Sequence, residues 1–458
     1  MKIVVVGNGK VGHALVEQLS KEGHDIVVID NCAKALENLV NSFDVMGVLG
    51  NGAIYSVQME AGVENADLLI AVTSADEINM LCCLIAKKLG AKSTIARVRN
   101  PEYSEQLDYL KDDLGLSMSI NPEFAAASEI SRILSFPSAM KIETFSRDRV
   151  EIVEFRVGED NPLIGIPLSA IHKKFKVKIL ICAVQRNNEV IIPKGDFIIH
   201  EGDKIEIASS RTQISNLFRK IGSYKNKVKN VMIIGGNRTA YYLTKQLLEL
   251  GMNVKIIEIN KERSEHLSEL LPMATVVHGD GTEQEILLEE GLERVDAFVA
   301  LTDRDEENIT ISIYAGVKNV PKVITKVNRL TYMEILDSIK IDSIVSPKFI
   351  TANQIVQYVR AMQNSLGSNV ETLHKIVDNS VEALEFVVPN ITENTNISDF
   401  IDVPLKDLGI KSGILVASII RKGQVIIPGG DDVIKAGDNV IVVTKDENYY
   451  NDLSDIFK

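Results

Sequence analysis

A glycine-rich turn occurs twice in this chain, each time between an apolar run and a helix-like stretch. The first reads Gly7-Asn8-Gly9-Lys10-Val11-Gly12 after Ile3-Val4-Val5-Val6, and Asp30 closes the next apolar run, Ile26-Val27-Val28-Ile29. The second reads Gly235-Gly236-Asn237-Arg238-Thr239-Ala240 after Val231-Met232-Ile233-Ile234, and Glu258 closes Val254-Lys255-Ile256-Ile257. The shift is 228 at the glycines (235 − 7) and 228 at the acids (258 − 30), so spacing is duplicated along with composition. Each copy demands strand, tight turn and helix in that order, with a carboxylate at the tip of the second strand.

The flanking pattern agrees. In the first half, apolar runs at 2–6, 26–29, 45–49, 68–73 and 94–98 alternate with amphipathic segments centred on Leu15, Leu36, Met59 and Leu84. Residues 296–302 echo 67–73, and 323–327 echo 94–98. Buried strands alternating with helices predict an α/β chain with two Rossmann-like doubly wound parallel sheets. Asn121-Pro122 and Ser346-Pro347 then mark helix starts. On the second of these helices Ile355, Val356, Val359 and Met362 share a face, which predicts packing beyond its own sheet.

The segment after each sheet is strand-rich and also duplicated. Val190-Ile191-Ile192-Pro193 matches Val425-Ile426-Ile427-Pro428, and Gly202-Asp203 matches Gly437-Asp438. The expected organisation is a nucleotide domain at 1–138, a small α+β module at 139–224, a second nucleotide domain at 228–364 and a second module at 370–458.

Net charge of −13 argues against nucleic acid as a partner and against docking on anionic lipid. No apolar run approaches the ~18 residues of a membrane span, so direct membrane insertion is not expected. Met1-Lys2-Ile3-Val4 enters a strand at once and leaves no room for a signal peptide; a cytosolic protein is expected. Cys32, Cys82, Cys83 and Cys182 form no Cys-x-x-Cys pair and are expected to be buried, reduced thiols. The seven histidines lack zinc spacing, and no metal site is expected.

In the first loop Gly7 permits the tight turn, Gly9 lets backbone amides near Asn8, Lys10 and Val11 approach a pyrophosphate, and Gly12 lets the helix sit close on the strand. The helix N-terminus adds partial positive charge. Asp30, 18 residues past Gly12, is placed for an adenosine ribose and repels a 2′-phosphate, which favours NAD(H) or another adenine nucleotide over NADP. Asn51, Thr73, Ser74 and Arg97 stand near the carboxyl ends of later strands, and Arg97 is suited to a phosphate or to a surface ion pair.

The second loop departs from the pattern. Asn237 replaces the middle glycine and adds a side chain where a pyrophosphate would come close. Gly235, Gly236, Arg238, Thr239, Glu258, Asp280, Thr302 and Asp303 keep the polar outline, and Lys326 stands where Arg97 stood. Weak binding, binding of a different nucleotide such as ATP or ADP, and a structural relic are the readings open here.

Hydride transfer requires a second wall with an acid or base over the nicotinamide. Tyr241 and Lys245 have the Tyr-x-x-x-Lys spacing, but on the first helix after the glycine loop and without a counterpart in the first half, which points to coincidence. Glu154 and Glu385 correspond in the two small modules and alternate with apolar residues, so both are expected on a solvent face. No catalytic residue is assigned, and an NAD-dependent oxidoreductase is the alternative of another class.

With these residues in view, the chain resembles TrkA-type potassium uptake regulatory proteins, which carry two RCK (KTN) modules in tandem. The resemblance rests on the Gly7 to Gly12 loop with Asp30, on Ala71-Val72-Thr73-Ser74-Ala75-Asp76-Glu77 with Asn79 and its echo Ala300-Leu301-Thr302-Asp303-Arg304-Asp305-Glu306 with Asn308, and on Ala96-Arg97-Val98-Arg99. It covers essentially the whole chain. It implies a cytosolic, non-catalytic subunit that binds NAD(H) or ATP/ADP and forms a homotetrameric ring of eight nucleotide domains. It also implies gating of a separate membrane potassium channel or transporter of the TrkH type, or alternatively regulation of a potassium/proton antiporter. Contacts near Gly9, Lys10 and Arg97 would reposition one domain against its neighbour, with the proline-started helices transmitting the shift.

Overall fold

A computed structural model of the chain describes residues 1–146, 149–187, 189–223, 227–328, 343–364, 370–377, 380–389, 400–445, 450 and 452–458. Twenty-two strands in the described residues make four sheets. The first sheet holds β1 (Lys2–Val6), β2 (Asp25–Asp30), β3 (Met46–Leu49), β4 (Leu68–Ala71), β5 (Ser93–Arg97) and β6 (Met118–Ile120) in the order β3-β2-β1-β4-β5-β6. All its neighbours are parallel. The second holds β7 (Lys141–Phe145), β8 (Val150–Arg156), β9 (Leu180–Arg186), β10 (Glu189–Ile191) and β11 (Lys204–Ser209) in the antiparallel order β10-β9-β11-β8-β7.

The third sheet repeats the first with β12 (Asn230–Ile234), β13 (Asn253–Glu258), β14 (Thr275–His278), β15 (Ala297–Ala300), β16 (Lys322–Lys326) and β17 (Ser343–Val345), ordered β14-β13-β12-β15-β16-β17. The fourth repeats the second with β18 (Val370–Ile376), β19 (Val381–Val387), β20 (Ile414–Arg421), β21 (Gln424–Ile426) and β22 (Asn439–Thr444), ordered β18-β19-β22-β20-β21.

The parallel sheets follow from the apolar runs. Ile3, Val4 and Val5 on β1 are fully buried, because helices cover both faces of the strand. The helix Lys10–Lys21 turns Leu15, Val16 and Leu19 inward and leaves its polar residues outside. The chain runs outward from β1 in both directions, so the connections after β1 and β4 diverge and leave a crevice at their carboxyl ends.

Like associates with like. One compact unit comprises Met1–Ser131 with Lys229–Val356, and the other comprises Arg132–Val228 with Gln357–Lys458. In the first unit each glycine-loop helix touches the proline-started helix of the other half. Gln18 Nε2 donates to Asn353 Oδ1 at 3.2 Å, and Gln246 Nε2 donates to Ser128 Oγ at 3.0 Å. The expected apolar face of the helix Pro347–Asn364 is buried at Ile355, Val356 and Val359.

Two expectations are corrected. Glu385 is only 1% exposed and accepts hydrogen bonds from the Ser146 amide (3.1 Å), the Ser146 hydroxyl and Asn439 Nδ2 (2.7 Å), while Glu154 is half-buried. Alternation marks two faces of a strand, but here the second face is covered by the other small module rather than by water. Cys82, Cys83 and Cys182 are buried free thiols, whereas Cys32 is exposed at the turn after β2. Burial pushes the Cys82 thiol up to about 12.

Candidate nucleotide cleft

The loop between β1 and the helix Lys10–Lys21 is held by its glycines. Gly7 has φ +100°, and a Cβ there would sit 3.0 Å from the Thr73 amide nitrogen. A Cβ on Gly12 would collide with the Gly7 carbonyl oxygen. Gly9 differs: it is extended at φ −75°, ψ −169°, and nothing lies within 4 Å of where its Cβ would be. The protein's own packing therefore requires glycine at 7 and 12, whereas at 9 the space stays open. Gly9 caps the helix without a side-chain hydrogen bond, and the first turn carries no acid, so the first amides and the positive end of the helix dipole face that opening.

The opening is a cavity of about 460 Å³, within the size range of small-molecule sites. Gly7, Gly9, Lys10, Val11, Asp30, Asn51, Thr73, Ser74 and Arg97 line it, and Asn31, Gly50, Gly52 and Ile78 also contribute. Two expected residues stand behind the wall instead. Gly12 abuts Gly7. The Asn8 amide donates to Asp30 Oδ2 at 2.6 Å, and Asn8 Nδ2 donates to the Ala35 carbonyl at 2.9 Å. Asp30 Oδ1 accepts from the Cys32 amide at 2.8 Å. Each carboxylate oxygen keeps lone-pair capacity for a ribose hydroxyl on the cavity side. Asn51 caps its own turn, with Oδ1 accepting from the Ala53 amide at 2.9 Å.

The far wall is organised by a residue that carries the family resemblance but was not among the expected site residues. Asn79 is fully buried; its Oδ1 accepts from the Thr73 amide (2.8 Å) and hydroxyl (2.7 Å), and its Nδ2 donates to the Arg97 carbonyl (2.9 Å). It thus ties the end of β4 to the end of β5. Arg97 Nη2 donates to the Thr73 carbonyl, and its buried Nε finds no acceptor. Burial, then the nearby Arg99 and Arg238 charges, lower the Arg97 pKa, so an anion at this wall would relieve both desolvation and repulsion. Asp76, likewise outside the expected site residues, accepts from the Arg99 and Asn100 amides at 2.8 Å each. The recurrence of Thr, Asp, Glu and Asn at the same spacing in both halves was the available sign for Asn79 and Asp76.

The second half repeats this frame and fills its cleft differently. Gly235 has φ +95°, and Asn308 ties the Thr302 amide (2.8 Å) to the Lys326 carbonyl (3.0 Å) as Asn79 does. Asn237 caps its helix, accepting from the Ala240 amide at 3.2 Å and donating to the Leu301 carbonyl. Its side chain thereby occupies the amide end that Gly9 leaves open. Glu258 is 2% exposed, accepts from the Gly236 amide (2.6 Å) and Asn260 amide (2.7 Å), and has Arg263 Nη1 at 3.7 Å. A Cβ on Gly236 would strike Leu267. Lys326 is buried, lies 3.6 Å from Asp303 and donates to the Leu301 carbonyl at 3.3 Å; burial lowers its pKa. Asp280 caps its own turn through the Thr282 amide at 2.9 Å, Thr239 is buried, and Arg238 is exposed.

Parallel sheets of this strand order, a glycine cradle at a helix N-terminus and a ribose-side carboxylate define a dinucleotide-fold binding protein, built twice in one chain. Comparison with known proteins narrows that class. Residues 3–122 and 231–347 match the TrkA-N domain, and residues 152–222 and 395–458 match the TrkA-C domain. The Trk system potassium uptake protein TrkA of Haemophilus influenzae is 31% identical, over 100% of this chain and 99% of that one. The TrkA homolog 2 of Methanosarcina mazei is 32% identical, over 96% and 97%. The GsuK RCK domain shares the fold with a TM-score of 0.63 at 17% identity, covering 96% of this chain and 92% of that one. The GsuK channel bound to NAD gives 0.63 at 16% identity, covering 97% and 76%. The chain belongs to the TrkA family of Trk system potassium uptake proteins, with tandem TrkA-N and TrkA-C domains. No helix among the described residues is long and apolar enough to cross a membrane.

Proposed function

We propose that this chain is the cytosolic nucleotide-sensing subunit of a potassium uptake system, and that it gates a separate membrane potassium transporter of the TrkH type. The single observation that carries the reading is the cavity at Gly9, which opens onto free helix amides, Asp30 and the orphaned Nε of Arg97. Kinship over the full length to potassium uptake proteins supplies the system. Within the first cleft, the amides after Gly9 would hold the pyrophosphate, Arg97 a further phosphate oxygen, and Asp30 the ribose, with NAD(H) favoured and ATP or ADP sharing the adenylate end. The second cleft, with Asn237 and Arg263 already in place, would bind more weakly. The domains divide at 1–138, 139–224, 228–364 and 370–458, and four chains form a ring of eight nucleotide domains.

The binding is regulatory rather than catalytic. Tyr242, next to the Tyr241 and Lys245 pair, instead joins the two halves: its hydroxyl donates to the Arg99 carbonyl at 3.1 Å and accepts from Asn121 Nδ2 at 3.0 Å. A ligand that pulls on Arg97 therefore acts two residues from a contact with the other half. Occupancy shifts an equilibrium only if it favours one arrangement of the halves over the other. The test is potassium flux through a TrkH-type transporter in vesicles, with and without the full chain and with NADH, ATP or ADP. Flux indifferent to chain and nucleotide overturns the proposal, and loss of NADH absorbance with an added acceptor would favour an oxidoreductase.

A further inference from the structure

The open edge of the first parallel sheet is apolar where the equivalent edge of the third is polar. Edge strand β3 pairs with β2 and, among the described residues, has no strand on its other side. The helix Ala33–Ser42 covers one face of it, with Leu36 over Gly47, and the helix Tyr55–Glu60 covers the other, with Val57 over Gly50. Around that edge Val40, Met46, Leu49, Ile54, Tyr55 and Met59 are exposed, Met46 to 64% and Tyr55 to 61%. Tyr55 and Met59 stand one turn apart on the same face of their helix. Soluble proteins rarely leave so many large apolar side chains together in water unless a partner covers them.

The second half serves as an internal control. Met46 and Leu49 pair with Val27 and Asp30, and Thr275 and His278 pair with Lys255 and Glu258, so Met46 corresponds to Thr275 and Leu49 to His278. At the helix that follows, Ile54 corresponds to Glu283 as the cap, Tyr55 to Gln284 and Met59 to Leu288. The same fold therefore accepts polar side chains at four of these five positions. Of the exposed apolar residues around β14, Leu270 and Met273 precede it, at the end remote from the cleft, and Ile259 follows β13. In the first half the apolar edge reaches the cleft, because Gly50, Asn51 and Gly52 line the cavity and lie between Leu49 and Ile54 in the chain. The half whose cleft is open at its amides is the half with the apolar edge.

We propose that this edge docks on the cytosolic face of the membrane transporter, against a segment that is apolar and rich in lysine or arginine. The inference rests on the regulatory reading above and names the surface through which it acts. Charge selects the occupant. Glu37, Asp44 and Glu60 border the apolar residues; all three are exposed and have no cation within 4 Å among the described residues, and Lys34 is the cation on the first of the two helices. A second copy docked two-fold would bring the same acids against these, and anionic headgroups would meet them as well, so both are repelled. Cytosolic loops of integral membrane proteins carry an excess of Lys and Arg, which complements the rim. An apolar centre inside a charged rim is the ordinary build of a protein interface. The loop that lines the cavity joins Leu49 to Ile54, so nucleotide affinity and docking affinity are linked reciprocally.

The test is sedimentation of the full chain with vesicles that hold a TrkH-type transporter, and with protein-free vesicles of the same phosphatidylethanolamine and phosphatidylglycerol. The first variant carries Met46→Thr, Ile54→Glu and Tyr55→Gln, the second half's own residues at those positions. Its affinity for transporter vesicles should fall at least about tenfold, with NADH affinity and oligomeric mass unchanged by calorimetry and ultracentrifugation. Glu37→Lys with Glu60→Lys leaves the apolar side chains in place, and should weaken docking and flatten its salt dependence. Undiminished docking by either variant overturns the proposal. Equal wild-type binding to protein-free vesicles, or a changed oligomeric mass in the first variant, overturns it too, by assigning the edge to lipid or to a second copy. A wild type that sediments with neither kind of vesicle overturns the regulatory reading itself.

Discussion

Replacing Gly9 by valine separates binding from folding more cleanly than any other change at the cleft. The backbone at Gly9 (φ −75°, ψ −169°) is extended and open to any residue, and its missing Cβ would meet nothing within 4 Å. Valine is a poorer N-cap than glycine, so the unliganded protein should lose no more than about 1 kcal/mol of stability. The new methyl groups would project into the cavity where a pyrophosphate reaches the amides after Gly9. Two hydrogen bonds to a charged phosphate, at about 1.5 kcal/mol each on the low side, make about 3 kcal/mol, or roughly 150-fold in affinity. Calorimetric titration of the full chain with NADH and with ADP reads the affinity, and thermal unfolding without nucleotide reads the stability. Gly12→Ala is the contrasting variant, because its Cβ meets the Gly7 carbonyl and should destabilise the fold by about 1–3 kcal/mol. Wild-type NADH affinity in Gly9→Val would refute the cradle, and a large loss of melting temperature would refute the open space.

Asp30→Ala frees the Asn8 and Cys32 amides that the carboxylate holds at 2.6 and 2.8 Å, and should lower both loop stability, by about 2 kcal/mol, and NADH affinity; denaturant unfolding and calorimetry check the two effects. Asn237→Gly costs the helix a few tenths of a kcal/mol while clearing the amide end of the second cleft. Nucleotide stoichiometry should move toward two per chain, and a stoichiometry that stays put would mean that Arg263 and Leu267 alone close the site. Tyr242→Phe removes the hydroxyl between the Arg99 carbonyl and Asn121, and should destabilise the paired nucleotide domains by about 1–3 kcal/mol; an unchanged unfolding curve counts against that contact.

The parts of the cleft legible in the sequence are those set by short-range geometry. A positive-φ turn, a helix pressed onto a strand and an acid at a strand tip each need particular residues at fixed spacing, so Gly7, Gly12, Asp30 and their counterparts stand out as letters. Asn79 stood out only within a repeated spacing of Thr, Asp, Glu and Asn; that it bonds Thr73 at the end of β4 to Arg97 at the end of β5 depends on two separate strands meeting, which the spacing alone does not state. Asn237 was legible as an anomaly, but whether its side chain blocks the amides or turns aside depends on the Leu301 carbonyl, which comes from another strand. Glu385 was misplaced for a related reason: alternation gives the face but not what covers it.

By itself, then, the chain's sequence determined the repeat, the order of strands and helices, and the two glycine turns, because backbone sterics and apolar periodicity act over a few residues. Tertiary structure decided which like domains associate, which cleft stays open at its amides, and which carboxylates lose water. Those outcomes depend on surfaces more than two hundred residues apart in the chain, where burial and charge are set by the partner surface and not by the neighbours in sequence.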